Sequence, residues 1–417
     1  MKIAIIGSGV SGLVAAHVLH GLHDVTLLEA NDYAGGHTHT QRVETERGAY
    51  DVDTGFIVHN DRNYPHFTRL IDQLGVATQP SPMSFGVSDT IGDFEYNGAS
   101  PNGLYAKRSH LVSPSFQRMV ADLIRFNREA RELLETSASA WDPSLREYLR
   151  ARRYSDAFVQ KLIVPQAAAV WSADPGQLWS FPARFLVEFF DNHGMLGFRD
   201  RPQWRTVTGG SARYVEAIVA RLGSERVRLA TPVQRIERRP DHVAVTPRGG
   251  DAERYDHVVV AVHSDQALRM LADPSERERE LLGAFPYQRN EVVLHTDRGM
   301  LPRRRRAWAS WNYHLGERAS DRPTVTYHMN RLQSFAADRE FCVTLNRSDE
   351  IRREHVIARF EYDHPVYTSA GQAAQQRWHE LEGDGRTSYC GAYWGWGFHE
   401  DGVVSALRAC ERLGGRL

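Results

Sequence analysis

Residues 1–38 read MKIAIIGSGVSGLVAAHVLHGLHDVTLLEANDYAGGHT. The apolar run Ile3 to Ile6 predicts a buried parallel strand, broken by Gly7-Ser8-Gly9-Val10-Ser11-Gly12 and followed by a helix-like stretch with Leu13, Ala16 and Leu19. A second apolar run, Val25 to Leu28, ends at Glu29. Each part suits a dinucleotide. Gly7 permits the tight turn, Gly9 lets the backbone approach a pyrophosphate, and Gly12 lets the helix lie close to the strand. Free N–H groups and the positive dipole end of that helix favour phosphate. Glu29 stands about 20 residues beyond the glycines, where an acid accepts hydrogen bonds from an adenosine ribose and repels a 2′-phosphate.

Outward from this start the chain is ordinary in composition. Over 417 residues it is 41% hydrophobic and 25% charged with a formal net charge of −1, which gives nucleic acid or an anionic membrane no global attraction. Cys342, Cys390 and Cys410 have neither metal spacing nor a CxxC, so a reduced, cytoplasmic setting is expected, with no metal. A strand that follows Met1-Lys2 at once leaves no room for a signal peptide, and Val258 to Val262 is far too short to span a bilayer. Any membrane contact is expected to be peripheral, at the inner face.

Residues 1 to about 60 predict strand, helix, strand, the glycine loop Ala34-Gly35-Gly36-His37 and a further strand starting at Asp51 and running through Gly55 to Val58. From about 64 to 205 the pattern is mostly helical, with amphipathic stretches at 113–137 and 144–164 and a helix stop at His193-Gly194. Strands are expected at Val227–Leu229, Val233–Ile236 and Val243–Val245, with a Gly249-Gly250 hairpin turn and a central parallel strand through Asp256–Ala261. Segments 291–295, 323–328 and 341–345 predict an antiparallel sheet, and a final helix is expected from about Gly402.

These residues resemble the FAD-dependent amine-oxidase-like flavoproteins, a superfamily that includes monoamine oxidases, phytoene desaturases and protoporphyrinogen oxidases. The resemblance rests on Gly7–Gly12 with Glu29, on Ala34-Gly35-Gly36, on the strands from Val233 to Ala261 and on the tail Gly395–Ser405. The segments Val170-Trp171-Ser172, Phe189 to Gly194, Val207 to Ser211 and Trp308 to Tyr313 are similar to a bacterial subgroup often encoded beside cyclopropane-fatty-acid synthases. The resemblance implies an α/β fold: a Rossmann-like FAD-binding domain of the glutathione-reductase type with a discontinuous α+β substrate domain. The FAD-binding domain would take residues 1–63, 205–285 and 386–417, and the substrate domain 64–204 and 286–385, with 104–200 mainly helical.

By the same resemblance, Gly7, Gly9, Ser11 and Gly12 line the pyrophosphate, Glu29 with Ala30 meets the ribose, and Gly35, Gly36, His37 and Thr38 meet the flavin-side phosphate. Gly55 and Phe56 would pass the ring, Val233 would present its backbone to adenine, and Gly402-Val403 would open a helix toward the flavin pyrimidine. His37 replaces the family's usual arginine, and Ala392 follows Gly391 where an acid is usual. Covalent members use a cysteine just before the last helix; here that stretch is Trp394 to His399, so FAD is expected to be non-covalent.

Many amine oxidases of the superfamily use a lysine in the second half of the chain, and none follows Lys161 here. Phe181, Phe185, Phe189, Phe190, Trp204, Trp308 and Trp311 would instead suit a long hydrophobic small-molecule substrate, a fatty acyl chain, or would simply form a core. His59, Tyr393 and Trp394 are the catalytic candidates, Tyr393, Trp394 and Trp396 are the candidates by position for an amine cage, and Arg303–Arg306 is a candidate lipid contact or a solvated turn. The expected activity is FAD-dependent oxidation or desaturation, with a peroxide-producing amine oxidase and an FAD-binding isomerase or redox-inactive flavoprotein as alternatives.

Overall fold

The computed structural model describes all residues except 90–91, 138–140, 172–175, 198–200, 317–321 and 383–384. Ser172 of the subgroup motif therefore lies outside the described residues.

The apolar runs of the N-terminal stretch sit in one five-stranded parallel sheet, in the spatial order Val227–Arg228, Asp24–Leu28, Lys2–Ile6, His257–Val260, Thr387–Tyr389. Lys2–Ile6 is central, and Ile3, Ile5, Val258 and Val260 are fully buried, as expected of a strand covered on both faces. The helix Val10–Leu19 is apolar nearly all round because it is sandwiched between this sheet and the last helix, His399–Glu411. Small residues allow that close packing: a Cβ on Gly402 would come within 2.6 Å of Val10 Cγ1.

A seven-stranded sheet runs Val356–Pro365, Tyr287–His295, Cys342–Leu345, Val325–His328, Trp311–Leu315, Phe85–Asp89, Phe94–Asn97. Its pairs are antiparallel except Trp311–Leu315 with Phe85–Asp89. The hairpin Phe85–Asn97 is absent from the helical pattern expected for 64–205, since its short runs carry no helical period. A helical cap follows, chiefly Pro114–Glu135, Leu145–Ala151, Val164–Trp171 and Ala183–Asn192. The expected helix 144–164 is interrupted at Arg153, whose φ is +53°, and resumes at Asp156 through a π-helical turn over Val159–Ile163.

Two other boundaries differ from expectation. The strand expected from Asp51 to Val58 is instead Gly48–Asp53, paired in a hairpin with Thr40–Thr45. Past Asp53 the chain leaves the ladder because Thr54 and Phe56 N–H donate to His39 and His37 carbonyls, while Gly55 lies so close to the His37 carbonyl that a Cβ would overlap it. The last helix begins at His399 rather than Gly402: Asp401 caps it by accepting from Phe398 N–H at 2.9 Å. No described helix is long and apolar enough to cross a membrane.

Candidate cofactor cradle and active-site cavity

The glycines divide into two kinds. A Cβ on Gly12 would sit 1.8 Å from the Gly7 carbonyl oxygen, so Gly12 is required for contact between helix and turn. Gly9 has nothing within 4 Å of the same hypothetical atom and caps a helix whose first turn receives no side-chain cap. Space and unsatisfied donors therefore coincide at one point, which is what a phosphate requires. Gly36, at φ +60°, closes over it, with a Cβ there 3.0 Å from Gly9 Cα.

Ser8 links the two loops. Its hydroxyl donates to Glu29 Oε2 at 2.5 Å and accepts from Gly35 N–H at 3.1 Å, while its own N–H also donates to Glu29 at 2.8 Å. Glu29 Oε1 accepts from Asn31 N–H at 2.8 Å. Each carboxylate oxygen keeps acceptor capacity for a ribose hydroxyl. The chain around Val233 is drawn to the same end, because Thr231 N–H donates to the Glu29 carbonyl at 2.7 Å. Ala30 beside it is exposed. Ser11 Oγ donates to the Gly402 carbonyl at 2.9 Å, and Val403 is fully buried in the same core. Gly402 is thus seated inside the helix pair, one turn past the helix start where sequence reasoning put it. These residues fit FAD: an open glycine cradle, an acid at ribose distance along the chain, and no thiol in Trp394–His399 to form a covalent link.

A cavity of about 650 Å³ opens beside the glycine loop. Its lining joins His37, Gly55, Phe56 and His399, next to the glycine loop, with Phe189, Trp204, Trp311, Tyr327, Tyr362, Trp396 and Arg201. Thr38, Tyr214 and His399 form a polar knot behind this wall. Thr38 Oγ1 and Tyr214 Oη are 2.6 Å apart, and both lie 3.0 Å from His399 Nε2, whose ring stacks on Phe56. His37 stacks on His364 at 5.4 Å and has His263 6.0 Å away. Burial, with mutual repulsion second, holds His37 well below the usual imidazole range, and burial holds His364 and His193 down at about 4. The cavity's imidazoles are therefore neutral at physiological pH.

The catalytic candidates chosen by position, His59, Tyr393 and Trp394, are not among the described residues that line this cavity. His59 is buried against Tyr64 and Phe67, its Nδ1 without a partner and its pKa pushed to about 4 by burial. Tyr393 and Trp394 pack on Phe285, on the far side of the tail turn. Trp396 and Phe398, two residues further along, face the cavity instead. Spacing in Trp394-Gly395-Trp396-Gly397-Phe398 was the available signal, but its phase depends on Gly395, where a Cβ would overlap Asp401. Burial pushes the Asp401 carboxyl up to about 7.

Of the seven aromatics expected as walls, Phe189, Trp204 and Trp311 line the cavity, whereas Phe181, Phe185, Phe190 and Trp308 are core. Sequence reasoning also missed Ser8, Tyr214, Tyr362, His364 and His399, whose roles depend on contacts between residues far apart in the chain. Lys161 lies over the Phe94 ring rather than at the cavity. Arg303–Arg306 do not line it either. Arg304 is paired with Asp93 and Glu95, and Arg305 lies over Trp308.

Residues 10–380 match the family model described as flavin containing amine oxidoreductase. Flavin-dependent L-tryptophan oxidase RebO of Lentzea aerocolonigenes is 28% identical over 294 residues, covering 63% of this chain and 58% of that protein. The chain thus spans somewhat more than half the length of the curated relatives it matches. Among solved structures, cyclohexylamine oxidase from Brevibacterium oxydans IH-35A superposes with a TM-score of 0.68 at 17% identity, covering 99% of this chain and 98% of that one. A CLA-producing fatty acid isomerase from P. acnes gives 0.64 at 17% identity, with 98% of each chain covered. Two proteins named for such different chemistry share one backbone, so the likeness establishes the fold and no more. The family match covers most of the sequence: this chain belongs to the flavin containing amine oxidoreductase family, with FAD as its cofactor.

Proposed function

We propose that the chain is an FAD-dependent oxidoreductase that oxidises or desaturates a long hydrophobic substrate, a fatty acyl chain being the class that fits best. The observation that carries this reading is the cavity lining, which among described residues is mainly aromatic and aliphatic with neutral imidazoles and a few uncharged polar groups, has Arg201 as its one charge, and contains neither lysine nor carboxylate. An ammonium substrate would find no anion there. Gly7, Gly9, Gly12, Glu29, Gly35 and Gly36 hold the dinucleotide in this proposal, and Gly55, Phe56, His37 and His399 form the wall nearest the flavin ring. The five-stranded sheet, drawn from 1–63, 205–285 and 386–417, and the seven-stranded sheet, drawn from 64–204 and 286–385, support dividing the chain into FAD-binding and substrate segments on those bounds, with the small sheet of His59–Asn60, Trp204–Val207 and Thr78–Pro80 joining the two sets.

FAD, when bound, supplies the two-electron acceptor, while the protein supplies orientation and electrostatics. Removing hydrogen from two adjacent carbons would need that acceptor for the hydride and a base of the protein for the proton. His37, His364 and His399 line the cavity as neutral imidazoles and are the proton acceptors available to this proposal, weak ones because burial disfavours the imidazolium. Aromatic side chains around the substrate exclude water from the reacting carbons. Arg303–Arg306 belongs to the lipid reading as a peripheral membrane contact, with Arg304 already committed to Asp93 and Glu95.

The amine-oxidase reading is favoured by the names of several relatives and neighbours. Aromatic faces such as Tyr362 and Trp396 would have to hold its cation. Anaerobic bleaching of the flavin absorbance against panels of fatty acyl compounds and of amines decides between them. Bleaching by acyl compounds is expected; rapid bleaching by amines alone sinks the lipid reading. Substrate turnover with the flavin still oxidised would select the isomerase alternative.

A further inference from the structure

Arg201 is the only described cavity residue that carries a full charge at neutral pH. Aspartate, glutamate and lysine are absent from the described lining, and burial keeps His37, His193, His364 and His399 neutral. Arg201 is more than a third exposed, so its part of the lining meets solvent, whereas Trp171, Phe189 and Tyr367 in the same lining are buried. Its Nε donates to the Gly197 carbonyl at 2.9 Å, and no carboxylate pairs with the guanidinium among the described residues. The four terminal N–H groups, two per nitrogen in a rigid plane, match the two oxygens of a carboxylate. Partial burial without a compensating anion lowers its pKa, so the cation gains from an anion brought by a ligand.

We infer that Arg201 anchors the carboxylate of a hydrophobic monocarboxylic acid, whose apolar body runs inward past Trp204, Phe189 and Trp311. This rests on the reading of the cavity as the substrate site. Two sources share this chemistry, a free fatty acid and an aromatic amino acid. The described lining favours the fatty acid, because it offers no anion to an α-ammonium group. It likewise disfavours an alkylamine, whose charge would be set against the guanidinium.

The test uses the FAD-loaded full chain and calorimetric titration with laurate, 1-dodecanol, dodecylamine and L-tryptophan. Laurate is expected to bind at least roughly tenfold more tightly than the alcohol or the amine, the scale of a charge-assisted hydrogen-bonded pair at a partly exposed site. Arg201→Met should abolish that preference while leaving dodecanol affinity unchanged, and Arg201→Lys should restore part of it. Equal binding of laurate and dodecanol by the wild type overturns the inference, as does an equal loss of both in Arg201→Met. L-tryptophan binding that depends on Arg201, without laurate binding, keeps the anchor and assigns the amino-acid source. Because the heat of binding is read independently of flavin reduction, Arg201-dependent laurate binding with no anaerobic bleaching overturns the oxidase reading alone.

Discussion

At the scale of single residues, two glycines three positions apart should respond to alanine in opposite ways. Gly12→Ala forces a methyl group onto the Gly7 carbonyl and should destabilise the apoprotein by about 3 kcal/mol in urea unfolding. Gly9→Ala has room for its methyl, so the apoprotein should unfold as before while FAD retention on gel filtration is lost. Retention of FAD at full stoichiometry by Gly9→Ala would remove the phosphate from that position. Asp53 makes a different kind of claim. It is fully buried and accepts from Thr40 Oγ1, Ser211 N–H and Oγ, and Gln333 Nε2, yet burial pushes its carboxyl up to about 6. A raised folded-state pKa contributes stability that is complete below the ordinary value of 3.8 and is lost as pH rises through 6. The lost contribution is about 3 kcal/mol, from two pKa units at about 1.4 kcal/mol each. Unfolding free energies of the wild type minus those of Asp53→Asn should therefore fall between pH 4 and 7; a flat difference would refute the assignment.

At the scale of elements, the helix Pro65–Leu74 has no cap from its own N-terminal neighbour, Tyr64. Glu400, in the first turn of the last helix, reaches across instead: its carboxylate accepts from His66 and Phe67 N–H at 3.0 and 2.9 Å. One acid thus closes a helix that starts 335 positions earlier in the chain. Glu400→Ala should cost about 2 kcal/mol, the upper range for a cap, and raise hydrogen exchange across 65–70 first; unchanged exchange there would show the cap to be idle. Such long-range capping explains what was legible in the sequence and what was not. Strands, glycine turns and the helix Pro114–Glu135 could be read because their causes are local: apolar period, φ above zero, an N-cap serine. The cavity wall could not. Whether Trp394 or Trp396 faces inward is set by Asp401 packing on Gly395, and whether Phe185 or Phe189 does so is set by the rotation of one helix against a distant sheet.

On the scale of the whole molecule, FAD contacts would join segments from both ends of the chain, so cofactor and fold should stabilise each other. At free FAD a hundredfold above its dissociation constant, mass action adds roughly 2.7 kcal/mol. Stripping FAD should lower the thermal midpoint and adding it back should restore it; an unchanged midpoint would mean that the cradle does not bind it in the native state. The strand order of the parallel sheet has a temporal counterpart as well. Lys2–Ile6 is made some 250 residues before its neighbour His257–Val260, and the far edge, Thr387–Tyr389, comes later still. During synthesis the nascent glycine fingerprint thus has Asp24–Leu28 as an early partner but an open apolar edge on its other side, a feature that favours aggregation unless it is shielded. FAD loading is accordingly expected only once Thr387–Tyr389 and the helix His399–Glu411 have been made, and a chain stalled before them would carry the fingerprint without being able to use it.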